Sequence, residues 1–276
     1  MAEKSLRETL INGLVEAGIP SPRLEADIIL KHAAPSYPET TPDEEKKAEE
    51  MLRRRLCREP LDKIIGCREF YKSYFKVNQN VLTPRPDTEI LVEKALLLLP
   101  EETSLQLLDL GVGSGCILLS LLAERKMACG TGVDISAAAA DIAAENARAL
   151  GLESRCRFIV NDWNKTDFPP ESFDMIVSNP PYIPRAEIAL LDREVREYDP
   201  LIALDGGEDG FACYRQLAAF VPLILKPGGC ILLESGAGQA ERIAGIFTAT
   251  GLALVEIAKD LSGINRCVIL KKEVAK

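Results

Sequence analysis

Asp109-Leu110-Gly111-Val112-Gly113-Ser114-Gly115 joins an apolar run at residues 105–110 to a helix-like segment at 116–125. Glycines at alternate positions let the chain turn sharply where a strand ends, and they admit a ligand against main-chain atoms at the start of the following helix. The same pattern also suits a plain strand-to-helix turn. Its spacing is Gly-x-Gly-x-Gly rather than the Gly-x-Gly-x-x-Gly of dinucleotide folds, and no Gly-x-x-x-x-Gly-Lys-Ser/Thr loop occurs, so phosphate is not the evident ligand.

Outward from this loop, short apolar runs at 105–110, 131–135, 157–160, 173–178, 230–234, 253–258 and 267–270 alternate with helical segments. That rhythm predicts an α/β fold with a largely parallel sheet covered by helices on both faces, its ligands held beyond the carboxyl ends of the strands. Upstream, residues 5–17, 21–33 and 42–57 read as helices separated by Gly18-Ile19-Pro20 and Pro35-Ser36-Tyr37-Pro38. Residues 64–77 carry hairpin signals, and Thr83-Pro84-Arg85-Pro86 stiffens the exit. The predicted division is a helical unit at 1–62, a β-hairpin linker at 63–84 and the α/β domain at 85–276.

Three further motifs fall just after predicted strands. Asp134 ends the second strand about twenty residues past the glycines, where a carboxylate can accept both hydroxyls of a ribose; it could also cap the helix that Ser136 begins. Asn161-Asp162-Trp163 follows the third strand and places an acid where an adenine amino group could donate, beside the chain's one tryptophan. Trp163 could equally fill a surface cleft. Asn179-Pro180-Pro181-Tyr182 follows the fourth. Two prolines fix φ and remove backbone donors, so the loop offers acceptors: the Asn179 side-chain oxygen and the Pro180 carbonyl. Such a pair suits the two hydrogens of a planar NH2 group, with Tyr182 against its flat face.

Composition narrows the classes. The chain has 276 residues, 47% hydrophobic, ample for a core. A formal charge of −9 argues against broad adhesion to nucleic acid, which needs a net basic surface. From Arg53 to Lys76, however, eight basic residues face three acids. That stretch is either a solvated helix face and hairpin or a docking surface for an anionic partner. The longest apolar stretch falls well short of the roughly 18–20 residues that cross a bilayer. The first ten residues mix Glu3 and Glu8 with Lys4 and Arg7, unlike a targeting segment, so the expected location is the cytoplasm. None of the eight cysteines forms a Cys-x-x-Cys pair, and neither zinc nor disulfides are expected. His32 is the only histidine, which leaves little room for a histidine-based triad or metal centre.

The chain resembles S-adenosylmethionine-dependent methyltransferases, and its Asn-Pro-Pro-Tyr loop resembles those that methylate exocyclic or amide nitrogen. Further residues make it similar to the peptide-chain release factor glutamine methyltransferases: Thr83-Pro84-Arg85-Pro86-Asp87-Thr88-Glu89, Asp162-Trp163, Leu204-Asp205-Gly206-Gly207-Glu208-Asp209-Gly210 and Lys226-Pro227-Gly228-Gly229. The resemblance implies a Rossmann-like methyltransferase domain with a seven-stranded, mostly parallel sheet and a small helical N-terminal domain that contacts class-1 release factors. It implies Gly111, Gly113 and Gly115 around the methionine part of S-adenosylmethionine, Asp134 at its ribose, and Asp162 with Trp163 at its adenine, with Asn179 also against the cofactor. Asn179 and Pro180 would hold the substrate amide, Pro181 and Tyr182 would shape the slot, and the 83–89 segment would close over it.

The chain departs from the family's pattern at residues 234–239 and 260–266, and both stretches are expected to lie away from the Asn-Pro-Pro-Tyr loop. Three other readings remain at this point: a glutamine methyltransferase of a ribosomal protein, an adenine-N6 DNA methyltransferase, and a non-catalytic module with this fold. Neither membrane nor direct nucleic-acid binding is expected.

Overall fold

The computed structural model describes residues 5–274, so the mixed-charge start at residues 1–4 lies outside it. The chain forms two compact units, one of residues up to Cys67 with Asp192–Tyr198, the other of Arg68–Leu191 with residues from Asp199 onward.

The first unit contains α1 (Leu6–Glu16), α2 (Pro22–Ala33), α3 (Pro42–Leu56) and a short α4 (Leu61–Ile65). Hydroxyl side chains take up free N–H groups where α1 and α3 begin. Ser5 accepts from Glu8 N at α1. At α3, Thr41 accepts from the Glu44 backbone while the Glu44 side chain accepts from Thr41 N, and Pro42 needs no partner. Leu10, Leu14, Ala26, Ile29 and Met51 are among the side chains that form its buried core. Residues 64 and 65, expected to open the hairpin, instead finish α4. Pro60 presets its entry and Gly66 ends it in the left-handed region at φ 81°.

Much of the basic stretch is neutralised within the units. Arg53 pairs with Glu50 and Arg54 with Glu59. Arg55 is buried between Glu25 at 2.6 Å and Glu194 at 2.8 Å. Lys72 pairs with Glu124 and Lys76 with Glu145. Pairing on this scale favours the structural reading of the stretch over an open cationic docking surface.

The second unit holds the hairpin strands β1 (Cys67–Phe70) and β2 (Ser73–Lys76) and then the alternating fold: α5 (Glu89–Leu98), β3 (Gln106–Leu110), α6 (Cys116–Glu124), β4 (Cys129–Asp134), α7 (Ala137–Ala149), β5 (Cys156–Val160) and β6 (Phe173–Ser178). Past α8 (Arg193–Tyr198), which belongs to the first unit, come α9 (Ala212–Ile224), β7 (Leu225–Glu234), α10 (Ala240–Thr248), β8 (Leu252–Lys259) and β9 (Asn265–Lys272). The seven-stranded sheet runs β5-β4-β3-β6-β7-β9-β8, parallel from β5 to β7, with β9 antiparallel to both neighbours. This is the architecture the strand rhythm predicted.

Alternation places the core. Leu107, Met175, Val177, Leu232 and Ile269 point to one face, where α5 and α6 pack, and Leu108, Leu110, Ile176, Leu233 and Val268 to the other, where α9 and α10 pack. Strand order reverses at β3, whose neighbours are β4 on one side and β6 on the other, and this crossover opens a crevice beyond the carboxyl ends. Among the described residues no helix is long and apolar enough to cross a membrane. The eight cysteines are free thiols, and His32 lies within α2.

Candidate active site

A cavity of about 310 Å³ opens at this crevice. Its walls include Gly111, Gly113, Asp134, Asp162, Trp163, Asn179 and Pro181, so residues from four separate strand ends meet in one place. Gly115, Pro180 and Tyr182 are not on the wall: Gly115 caps α6, Pro180 is buried and Tyr182 is half-buried against the core.

Gly111, Gly113 and Gly115 take φ values of 82°, 53° and 81°, where a side chain is strained. At Gly111 a Cβ would also touch the Trp163 ring, at 3.4 Å from one of its carbons. Asp134 receives Gly113 N at 2.9 Å on one oxygen and Ser136 N at 2.9 Å on the other. The carboxylate therefore pins the glycine loop and the residue that begins α7, and it lines the cavity. Burial raises its pKa, and the backbone N–H groups of Ser136 and Gly113 oppose that. Asp162 accepts from Asn164 N at 2.9 Å, and Trp163 Nε1 donates to Gln216 at 3.3 Å. The tryptophan is thus a fixed wall of the cavity.

The Asn-Pro-Pro-Tyr loop leaves β6 with Ser178 donating to the Leu110 carbonyl at 2.5 Å, which ties the ends of β6 and β3 together. Behind it, residues 204–210 form a second layer: Ile183 N donates to Leu204 O at 3.1 Å, and Gly206 N to Ile183 O at 2.8 Å. A Cβ on Gly206 would lie 2.7 Å from the Tyr182 carbonyl carbon, a backbone atom with no room to yield, so the glycine allows the loop its support. The Tyr182 phenol is pushed up to about 12, mainly by burial, and stays neutral.

The 83–89 segment uses nearly every polar side chain to fasten itself. Arg85 reaches Asp199 at 2.8 Å and Asp87 reaches Arg266 at 3.1 Å. Glu89 accepts from Tyr71 N at 3.0 Å. Thr88 Oγ1 accepts from Asn179 Nδ2 at 3.5 Å. The most specific motif of the sequence is thereby joined to the loop whose acceptors it was expected to cover.

The expectation that residues 234–239 and 260–266 lie away from that loop is wrong for 234–239 and for Arg266. Gln239 Nε2 donates to Tyr182 O at 2.9 Å, and its Oε1 accepts from Gly236 N at 3.1 Å. Glu234 is buried at the end of β7, next to Leu233, which pairs with Ser178 at the start of the loop. Arg266 is held by Asp260 at 3.0 Å and aligned with Ser235, whose N donates to Arg266 O at 2.8 Å. The antiparallel pairing of β7 and β9 brings these strand ends together. The available signal was a Glu at the end of an apolar strand, where a buried acid needs partners.

A family model described as a methyltransferase domain matches residues 101–269. The release factor glutamine methyltransferase of Rhodospirillum rubrum is 46% identical over 268 residues, covering 94% of this chain and 82% of that protein. The release factor glutamine methyltransferase of Caulobacter vibrioides is 43% identical over 265 residues, covering 93% and 91%. A solved methyltransferase from Pyrococcus furiosus superposes with a TM-score of 0.53 at 15% identity, covering 72% of this chain and 89% of that one, a likeness of fold. The chain belongs to the release factor glutamine methyltransferase family.

Proposed function

We propose that the chain transfers a methyl group from S-adenosylmethionine to the side-chain amide nitrogen of the glutamine in the Gly-Gly-Gln motif of class-1 release factors, leaving S-adenosylhomocysteine. The observation that carries this is the seat of Asn179. It forms part of the same wall as Asp134 and Trp163, and its amide nitrogen is turned to Thr88, which leaves its oxygen as an acceptor.

The cavity suits the cosubstrate chemically. Its carboxylates, Asp134 and Asp162, can take hydroxyl and amino donors, and the Trp163 ring can stack on a flat ring. When bound, S-adenosylmethionine supplies a methyl group already activated by a sulfonium charge.

An amide nitrogen is a poor nucleophile because its lone pair is shared with the carbonyl, so positioning carries most of the catalysis. The Asn179 oxygen, on the cavity wall, accepts one amide hydrogen and aims the nitrogen, and the carbonyl of Pro180, a residue buried behind the wall, is assigned the second. They also stabilise the positive charge that grows on the nitrogen in the transition state. No base has to act before transfer, in keeping with walls that lack histidine. The nitrogen keeps both hydrogens until the methyl has left the sulfonium as S-adenosylhomocysteine forms, and the acidic N-methylated cation then gives up one proton to water. Tyr182, neutral and held by Gln239, keeps the loop in shape. A substrate of this kind implies action in the cytoplasm, where translation ends.

The test is label transfer from methyl-labelled S-adenosylmethionine to a class-1 release factor with its native Gly-Gly-Gln tip or a Gly-Gly-Ala version. Label on the native factor alone is expected. Label on a ribosomal protein or on DNA adenine, or none at all, would replace this reading.

A further inference from the structure

Glu234 ends β7 with its side chain removed from solvent, and its Oε2 has no hydrogen-bond partner. An orphaned carboxyl oxygen is expensive to bury, so its position calls for an explanation. Thr88 and Asn179, joined to each other at 3.5 Å, are the side-chain hydrogen-bonding groups that pull its pKa down. Thr88 is itself buried, and its single hydroxyl hydrogen can go to the carboxylate while its oxygen accepts from Asn179 Nδ2. An asparagine amide turned over by half a rotation would present NH2, a donor, to the substrate's own NH2.

We propose that Glu234 and Thr88 are positioning residues: Thr88 accepts from the Asn179 nitrogen, the buried Glu234 carboxylate attracts the same NH2 group, and together they hold the Asn179 oxygen toward the cavity, the one orientation able to grip a substrate amide. The assignment rests on the reading that Asn179 takes that amide. It has a consequence in pH. Ionised Glu234 can only accept, whereas the protonated acid has a donor that would draw the Asn179 oxygen inward. Burial pushes this carboxyl up to about 7; Thr88, Arg266 and Asn179 pull it down and Asp87 pushes it up. Cys116, Tyr182, Tyr214 and Cys267 also feel its charge, and burial holds each of them protonated well above that range. Asp109, pushed to about 7 as well, is the other group that could shape a neutral-pH profile, so the comparison must be made within Glu234 variants.

Glu234→Leu and Thr88→Val are tested against wild type and Asn179→Ala. Turnover on the release factor should fall about 10- to 100-fold in both, less than for loss of the gripping group itself, with cosubstrate affinity by calorimetry within about twofold. Glu234→Gln, which keeps an acceptor, should lose less than Glu234→Leu. Its turnover should also stay flat between pH 6 and 8, where wild type rises about tenfold, as a single group ionising near 7 requires. If Glu234→Leu does not fold, the isosteric Thr88→Val decides. Full turnover in Thr88→Val, or an unchanged pH profile in Glu234→Gln, overturns the assignment, and if Asn179→Ala is still impaired the glutamine reading survives it. Should wild type label no release factor, the side-chain NH2 resonances of Asn179 decide the positioning role independently. They should titrate near 7 in wild type and not in Glu234→Gln, and resonances that do not titrate in wild type overturn the proposal.

Discussion

Gln239 donates to the carbonyl of Tyr182 at 2.9 Å, across fifty-seven positions of sequence, and accepts from Gly236 N with its other end. One side chain thus couples the turn after β7 to the back of the Asn-Pro-Pro-Tyr loop. Gln239→Leu keeps the bulk and removes both bonds. At a net worth of about 1 kcal/mol each, it should cost about 1–2 kcal/mol of stability. Turnover should fall by about tenfold through loss of preorganisation. Thermal denaturation and steady-state kinetics would check this; a stable variant with full turnover would show that the loop holds its shape without this tie.

Asp134→Ala should act chiefly on the cosubstrate. The carboxylate anchors Gly113 N and Ser136 N and faces the cavity, so its removal loses charge-assisted bonds and loosens the glycine loop. Such bonds are worth about 1.5–3 kcal/mol, so the dissociation constant for S-adenosylmethionine should rise about 10- to 100-fold in calorimetry. An unchanged constant would contradict the assignment.

Asp109→Asn should stabilise the protein at alkaline pH. Asp109 is buried in β3, bonded by one oxygen to Leu118 N at 3.3 Å while Oδ1 lacks a partner, and burial lifts it from an ordinary 3.8 to about 7. The folded state therefore holds this proton more tightly than the unfolded state, and wild-type stability falls as pH rises through that interval. The amide keeps an acceptor without the charge. Melting at pH 8 should show a gain of up to about 4 kcal/mol that shrinks as pH drops toward 5. Destabilisation at pH 8 would mean that a charged Asp109 is used.

Much of the fold is legible in the sequence because its strands are apolar runs bounded by turn residues. All seven predicted runs correspond to β3 through β9, with ends displaced by up to five residues where β7 starts at Leu225. Ser136 is the cap expected, accepting from Ala139 N at 3.2 Å. The strand-end motifs meet at one cavity because parallel strands bring distant loops to the same sheet edge. What is not legible depends on strand register and burial. Residues 234–239 and 266 look peripheral along the chain, but β7 runs beside β6 with Leu233 opposite Ser178, and its antiparallel pairing with β9 adds Arg266. The basic stretch likewise reads as a patch in sequence, but Arg55 finds Glu25 and Glu194, acids thirty or more positions away.

Asn179→Ala removes the group assigned to grip the substrate amide, and its kinetics are the sharpest check on that role. Loss of one preorganised hydrogen-bond partner predicts turnover on a class-1 release factor reduced by about 10²–10³, with the S-adenosylmethionine dissociation constant within about twofold of wild type. Cosubstrate affinity falling in step with turnover, or turnover left intact, would be incompatible with it.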